Sequence, residues 1–204
     1  MRRRAVLFGG TFDPITTAHM VVADQAQRLL QPDEFWFLVD NLPGERKAVY
    51  ASAAERLGMV RAALAGDPRF TVSDVEIRRG GETYTAETMD ELHRVHPDLR
   101  FELLLGADSA RSIGTWRDAA RLLAREWFDI VNRSGEQPLT IEEAAALGFE
   151  PQRTRLVEIA SPQLSASDVR DRVAAGQPVA GLVPEPALEI IRRRGMYARR
   201  PSRA

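Results

Sequence analysis

Ala5-Val6-Leu7-Phe8-Gly9-Gly10-Thr11-Phe12-Asp13-Pro14-Ile15-Thr16-Thr17-Ala18-His19 is the stretch on which the fold turns. Four apolar residues in a row, closed by a glycine pair, fit a strand buried on both faces. After the loop, Met20, Ala23, Ala26, Leu29 and Leu30 recur at helical spacing until Pro32 ends the run. Strand, glycine turn and helix make half of a βα unit, and the rest of the chain repeats the alternation. Further strands are expected at 34–39, 70–77, 101–105, 128–131 and 156–159. Helices are expected at 52–64, 84–95, 109–124 in segments, 165–174 and 184–194. Ser52 followed by Glu55 is a capping-box pattern, and 41–50 reads as a polar loop. This alternation predicts an α/β chain: a Rossmann-like, doubly wound parallel sheet with helices on both faces and a small C-terminal helical segment. Right-handed crossovers put the C-terminal ends of all strands on one edge, where ligands bind at the switch point. The chain reads as a single domain over 1–204. Its core is 1–160, its helical part 161–198 and its solvated basic tail 199–204.

Composition narrows the chemistry. The chain has 204 residues, 28 Lys+Arg against 29 Asp+Glu, three His and no Cys. A domain of this length buries roughly 70% of its unfolded surface and needs no disulfide or metal staple. Without Cys there is no thiolate zinc site and no cysteine nucleophile. Three His make no His-rich metal site unless carboxylates join them, and no protein-built metal site is expected. A net charge of −1 argues against nucleic acid as a partner. The basic start Met1 to Arg4 precedes only four apolar residues, too few for a signal peptide or a membrane span, so a cytoplasmic chain without a membrane partner is expected. Arg2 to Arg4 read as a solvated lead-in. His93 and His96 read as helix-end residues with no catalytic role.

The first βα loop is neither a P-loop nor a GxGxxG fingerprint, yet its physics suits a phosphate. Gly9 and Gly10 let the backbone approach a ligand, Thr11 and Thr16 bring hydroxyls and main-chain donors, and Thr17 reads as the N-cap that places His19 in the first helical turn. The same residues also fit a plain strand-to-turn glycine pair beside a surface histidine. A second cluster, Ser165-Ala166-Ser167-Asp168-Val169-Arg170, opens a later helix. Its serines can cap that helix and bind phosphate, and Arg170 offers a planar fork. By itself it also fits a capped helix with a solvated arginine.

Taken together, these motifs resemble the nucleotidyltransferase superfamily marked by Gly-Gly-Thr-Phe-Asp-Pro, [His/Thr]-x-Gly-His and a distal Ser-x-[Ser/Thr]-x-x-Arg. Within it, the chain is similar to the bacterial nicotinate-mononucleotide adenylyltransferases over nearly its whole length. Thr83-Tyr84-Thr85, Gly106-Ala107-Asp108, Trp116, Arg133-Ser134-Gly135 and the ending through Gly195-Met196-Tyr197 add to the match. The resemblance implies transfer of AMP from ATP to nicotinate mononucleotide, with release of pyrophosphate. It implies His19, Thr16 and Arg170 as catalytic. It implies Gly9, Gly10, Thr11, Phe12, Gly106, Asp108, Ser165, Ser167 and Lys47 as nucleotide-binding, with Lys47 sharing its candidacy with Arg46. Thr83, Tyr84, Thr85, Trp116 and Arg133 are implied to bind the acceptor, with Trp116 stacking on the pyridine ring. Mg²⁺ is implied as the cofactor, held mainly by the ATP phosphates; a homo-oligomer is compatible with the family. The chain departs from the family pattern at Thr16 (usually His), Ala18 (usually Gly), the 43–47 loop, Ala166 and Ser134. All these changes face ligand. Two alternatives therefore stand beside the leading reading: a shifted nucleotide such as CTP or another phosphate or phosphonate acceptor, and an inactive nucleotide-binding regulator.

Overall fold

The computed structural model describes residues 2–43 and 48–198. Its strands and helices run in chain order as β1 (Arg3–Gly10), α1 (Thr17–Leu30), β2 (Glu34–Val39), β3 (Leu42–Pro43), α2 (Ala53–Ala63), β4 (Phe70–Ser73), α3 (Val75–Arg79), β5 (Glu82–Thr83), α4 (Thr85–Val95), β6 (Leu99–Gly106), α5 (Ala107–Arg111), α6 (Ala119–Arg125), β7 (Trp127–Arg133), α7 (Ile141–Ala146), β8 (Thr154–Ile159), α8 (Ala166–Ala174) and α9 (Glu185–Arg194). Six strands form one parallel sheet in the order β4-β2-β1-β6-β7-β8. The order reverses at β1, which pairs with β2 on one side and β6 on the other. That is the switch point where an open α/β sheet leaves a crevice beyond its strand ends.

Alternate residues of β1 divide between two apolar layers. Val6 joins Phe35, Phe37, Val60 and Leu188 on one face. Ala5 and Leu7 join Trp36, Met89, Phe101 and Phe128 on the other. Burial on both faces is why the strands read as continuous apolar runs. Each fully buried Phe or Leu contributes about 1.5–3 kcal/mol relative to exposure. Among the described residues no helix is long and apolar enough to cross a membrane.

Four expectations need correction. The strand at 70–77 stops at Ser73, because it is an edge strand whose partner β2 ends one residue beyond the Leu38–Ser73 pair; the chain then turns into α3. The polar loop at 41–50 contains β3, which pairs with β5 in a separate two-stranded sheet. Helix α7 was not expected, although Thr140 and Glu143 form a capping box at its start. Arg4 is not part of a solvated lead-in, whereas Arg3 is exposed as expected, though it is part of β1. Arg3 pairs with Glu34 at 2.5 Å, and Arg4 grips Glu102, whose side chain is buried, through Nε at 2.9 Å and Nη2 at 3.0 Å. Burial pushes the Glu102 carboxyl up, but hydrogen bonds from Arg4 and Arg100 and the charge of Arg155 prevail and hold it below its ordinary range. His93 and His96 do close α4, with His93 Nε2 at 2.9 Å from the buried Glu126.

Candidate active site

At the switch point α1 begins with a cap that places an imidazole. Thr16, not Thr17, is the N-cap: its backbone is extended, and its hydroxyl accepts the His19 N–H at 3.4 Å. In return the Thr16 N–H donates to His19 Nδ1 at 2.9 Å, so His19 takes the part that Glu plays in a capping box. A backbone N–H can only donate. Nδ1 therefore presents its lone pair, and the proton of the neutral ring resides on Nε2. Thr17 instead docks the C-terminal part, its N–H donating to Leu182 O at 2.9 Å and its hydroxyl facing the carbonyls of Gly181 and Leu182. Thr16 is fully buried and its hydroxyl is committed to the cap. Ala18 is also buried and does not line the crevice.

The Gly9–Asp13 loop is held from below. Phe12 has φ of 47° and packs edge-on against His19, ring centres 5.2 Å apart. A Cβ on Gly10 would lie 3.0 Å from the Phe12 ring, whereas one on Gly9 would meet nothing within 4 Å. Gly10 thus makes room for Phe12 rather than for a ligand, and Gly9 alone leaves open space. The Thr11 hydroxyl is likewise occupied, donating to Asp40 at 2.8 Å. Arg56 of α2 is fully buried; its Nη1 donates to Thr11 O at 2.7 Å and to Asp40 at 2.7 Å. Asp13 is buried beside it. Its carboxylate accepts the N–H groups of Tyr50 (2.7 Å) and Ala51 (3.2 Å) and the Tyr197 hydroxyl (2.7 Å). Burial, then the hydrogen bond to Asp13, pushes the Tyr197 phenol above its ordinary range, so it stays a donor.

The second cluster faces this loop. Ser165 caps α8 in a capping box with Asp168: the Asp168 N–H donates to Ser165 Oγ at 3.1 Å and the Asp168 carboxylate accepts the Ser165 N–H at 2.8 Å. That backbone hydrogen bond and the Ser165 hydroxyl hold the Asp168 carboxyl below its ordinary range. Arg170 Nη1 donates to Asp13 O at 2.7 Å, Nη2 donates to Ser167 Oγ at 2.9 Å, and the guanidinium lies 4.4 Å over the Tyr50 ring. His19 in the first turn of α1 and the first turn of α8 thus open on one crevice of about 910 Å³. Gly9 to Asp13, His19, Ser165, Ser167 and Arg170 line it. Arg133 and Glu136, paired at 3.1 Å, close one wall.

Arg133 therefore lies with the nucleotide group rather than apart from it. A Cβ on Gly106 would be 3.8 Å from its Nη2, which puts the end of β6 against the same wall. Asp108 is exposed in the first turn of α5, 3.6 Å from Arg111. The acceptor group forms a neighbouring patch. Thr83 ends β5, Tyr84 caps α4 and Thr85 begins it. Arg117 stacks 4.4 Å over the Tyr84 ring, while Trp116 is half-buried against the second apolar layer. Lys47 and Arg46 lie outside the described residues. Sequence reasoning missed Arg56, Asp13 and Tyr197 as supports of the site. The signal for Arg56 was its place on the apolar face of α2, at i, i+3 and i+4 with Met59 and Val60.

The chain matches the family model described as cytidylyltransferase-like over residues 7–172. A protein of Exiguobacterium sibiricum whose name reads "probable nicotinate-nucleotide adenylyltransferase" is 39% identical over 94% of this chain and 97% of its own. A Streptomyces coelicolor protein of the same name is 37% identical over 93% of this chain and 98% of its own. Among solved structures, a Plasmodium falciparum nicotinic acid mononucleotide adenylyltransferase complexed with NaAD superposes with a TM-score of 0.81 at 21% identity, covering 96% of this chain and 97% of that one, which establishes likeness of fold.

Proposed function

The chain belongs to the nicotinate-nucleotide adenylyltransferase family within the cytidylyltransferase-like group, and on that premise we propose that it transfers AMP from ATP to nicotinate mononucleotide, releasing pyrophosphate and giving deamido-NAD. One observation carries the reading: the His19 imidazole at the start of α1, the N-terminus of α8 and the Arg170 fork meet in one crevice. That set is built for a chain of phosphates and contains no placed nucleophile. The triphosphate would lie between the first turns of α1 and α8. An oxygen of the acceptor's phosphate attacks the α-phosphorus in line; the new P–O bond forms as the bond to the β-phosphate's bridging oxygen breaks, and pyrophosphate leaves with the electron pair. His19 would donate Nε2–H to the charge growing on the α-phosphate, and Arg170 would hold the departing oxygens. Thr16 acts through His19 by fixing its tautomer. Positioning and charge neutralisation supply the rate.

Mg²⁺ fits this crevice as a passenger of the nucleotide. The Asp13 carboxylate is turned to Tyr50, Ala51 and Tyr197, so the phosphates themselves would hold the ion. Bound there, it neutralises phosphate charge. Acceptor binding is assigned to Thr83, Tyr84, Thr85 and Trp116, with Gly106, Asp108 and Arg133 between the two substrates. We read the chain as one transferase domain working in the cytoplasm.

His19→Ala tests the mechanism. Loss of one donor to the developing charge should lower kcat by about 10²–10³-fold, with the KM for ATP little changed and the melting temperature lowered modestly by the lost capping bond. A kcat close to that of the parent would remove His19 from the chemistry.

A further inference from the structure

Beneath the Thr83–Tyr84–Thr85 turn lies a carboxyl group that the chemistry above does not use. Glu76, the second residue of α3, is only 4% exposed. Its Oε1 accepts the Thr88 hydroxyl at 2.7 Å, and Thr88 Oγ1 also lies 3.4 Å from the Tyr84 carbonyl oxygen. Tyr84 belongs to the turn that the proposed function assigns to the acceptor, and Thr88 follows it one helical turn later. Arg79, on the same short helix, directs Nη2 to the Thr88 hydroxyl at 2.8 Å and pairs with Glu91 of α4 at 3.0 Å. Asp40, at the end of β2, faces Glu76 with like charge.

A separate run of bonds ties the same turn to the nucleotide loop. Thr83 Oγ1 accepts the Asn41 N–H at 3.1 Å, and Asn41 O accepts Arg56 Nη2 at 2.5 Å. Arg56 in turn holds Asp40 and the Thr11 carbonyl, each at 2.7 Å.

We propose that Glu76 is a positioning residue for acceptor binding: through the Thr88 hydroxyl it holds the Tyr84–Thr85 turn in place. The inference rests on the acceptor assignment made above. An ionised carboxylate only accepts, so the Thr88 hydroxyl must donate to it. That sets its rotor and leaves its lone pairs to Arg79. A protonated carboxyl becomes a donor on one oxygen and breaks the arrangement. Burial, with the charge of Asp40 adding to it, pushes the Glu76 carboxyl up to about 7 against the hydrogen bond from Thr88 and the charge of Arg79. Both forms are therefore populated near neutral pH, and the turn is held better as pH rises.

Glu76→Gln keeps the volume and removes the charge. Steady-state kinetics with nicotinate mononucleotide and ATP, from pH 6 to pH 8.5, read the effect alongside the melting temperature. At pH 8 the variant's acceptor KM should rise about fivefold, within the range by which such networks modulate coupling, while its ATP KM holds and its melting temperature does not fall. The parent's acceptor KM should fall with pH more steeply than the variant's, since titration of the acceptor's own phosphate is common to both. Thr88→Val should reproduce the rise at pH 8. Parallel pH profiles for parent and variant, or a KM change that only accompanies a lower melting temperature, would overturn the role of Glu76 while the proposed reaction stands. A parent that makes no deamido-NAD removes the acceptor assignment, and this inference falls with it.

Discussion

Arg56→Met puts the support of the nucleotide loop to a quantitative test. The guanidinium, fully buried, makes four bonds: Nε to Ala51 O at 3.3 Å, Nη1 to Thr11 O and to Asp40 at 2.7 Å each, and Nη2 to Asn41 O at 2.5 Å. Methionine fills much of the space and supplies no donor. Breaking one side of a buried ion pair costs about 3–5 kcal/mol, chiefly because the remaining charge is stranded. Here Asp40 keeps the Thr11 hydroxyl, and its side chain is 14% exposed, which favours the lower end. A loss of about 3 kcal/mol from a total of about 5–15 leaves the chain folded but weakened. With m of about 2 kcal/mol/M, the urea midpoint should fall by about 1.5 M. The ATP KM should rise too, because the Thr11 carbonyl loses its anchor. Asp40→Asn alone should cost less, and the double variant should cost less than the sum of the singles. A loss below about 1 kcal/mol, or additive singles, would refute the view that Arg56 and Asp40 form one stabilising unit.

Two further outcomes are expected. Tyr197→Phe removes one donor from the buried Asp13 carboxylate and should lower stability by about 1 kcal/mol and weaken ATP use, since the Asp13 carbonyl anchors Arg170; calorimetry and kinetics check it, and an unchanged melting temperature would count against it. Glu76 has a folded pKa of about 7 against an ordinary 4.5, so the folded state binds its proton more tightly. Its contribution is full below pH 4.5 and lost as pH rises through 7, about 3 kcal/mol in all at 1.36 kcal/mol per pH step. Urea unfolding at pH 5 and pH 8 should show that slope in the parent and a flatter one in Glu76→Gln; equal slopes would contradict it.

The parallel sheet was legible because strands buried on both faces write themselves as apolar runs: 34–39 and the region of 101–105 emerged as strands for that reason. The 70–77 stretch misled, since Phe70 and Val72 alternate with Thr71 and Ser73 whether or not a partner strand continues beyond them. Pairing partners are a property of the whole sheet and leave no mark in the edge strand itself. Within the site, the ligand-facing residues were readable as motifs, but their supports were not. Thr16 looked like a phosphate contact, and only the cap geometry reveals that its hydroxyl and N–H both serve His19. Gly10 looked like a ligand approach, and only the placement of Phe12 shows what fills its space. Asp13 and Tyr197 are 184 residues apart in the chain, and a hydrogen bond at that separation has no local signature.

The most direct measurement is product analysis with the purified chain, offering ATP or CTP against nicotinate mononucleotide, nicotinamide mononucleotide and simple phosphate acceptors. Mass spectrometry identifies the dinucleotide, and a coupled assay counts pyrophosphate. Deamido-NAD and pyrophosphate formed in equal amounts from ATP and nicotinate mononucleotide, faster than from any other pair, is the expected result. Binding of ATP without pyrophosphate release from any pair would contradict the assignment as an enzyme, and a clear preference for CTP or another acceptor would contradict its substrates.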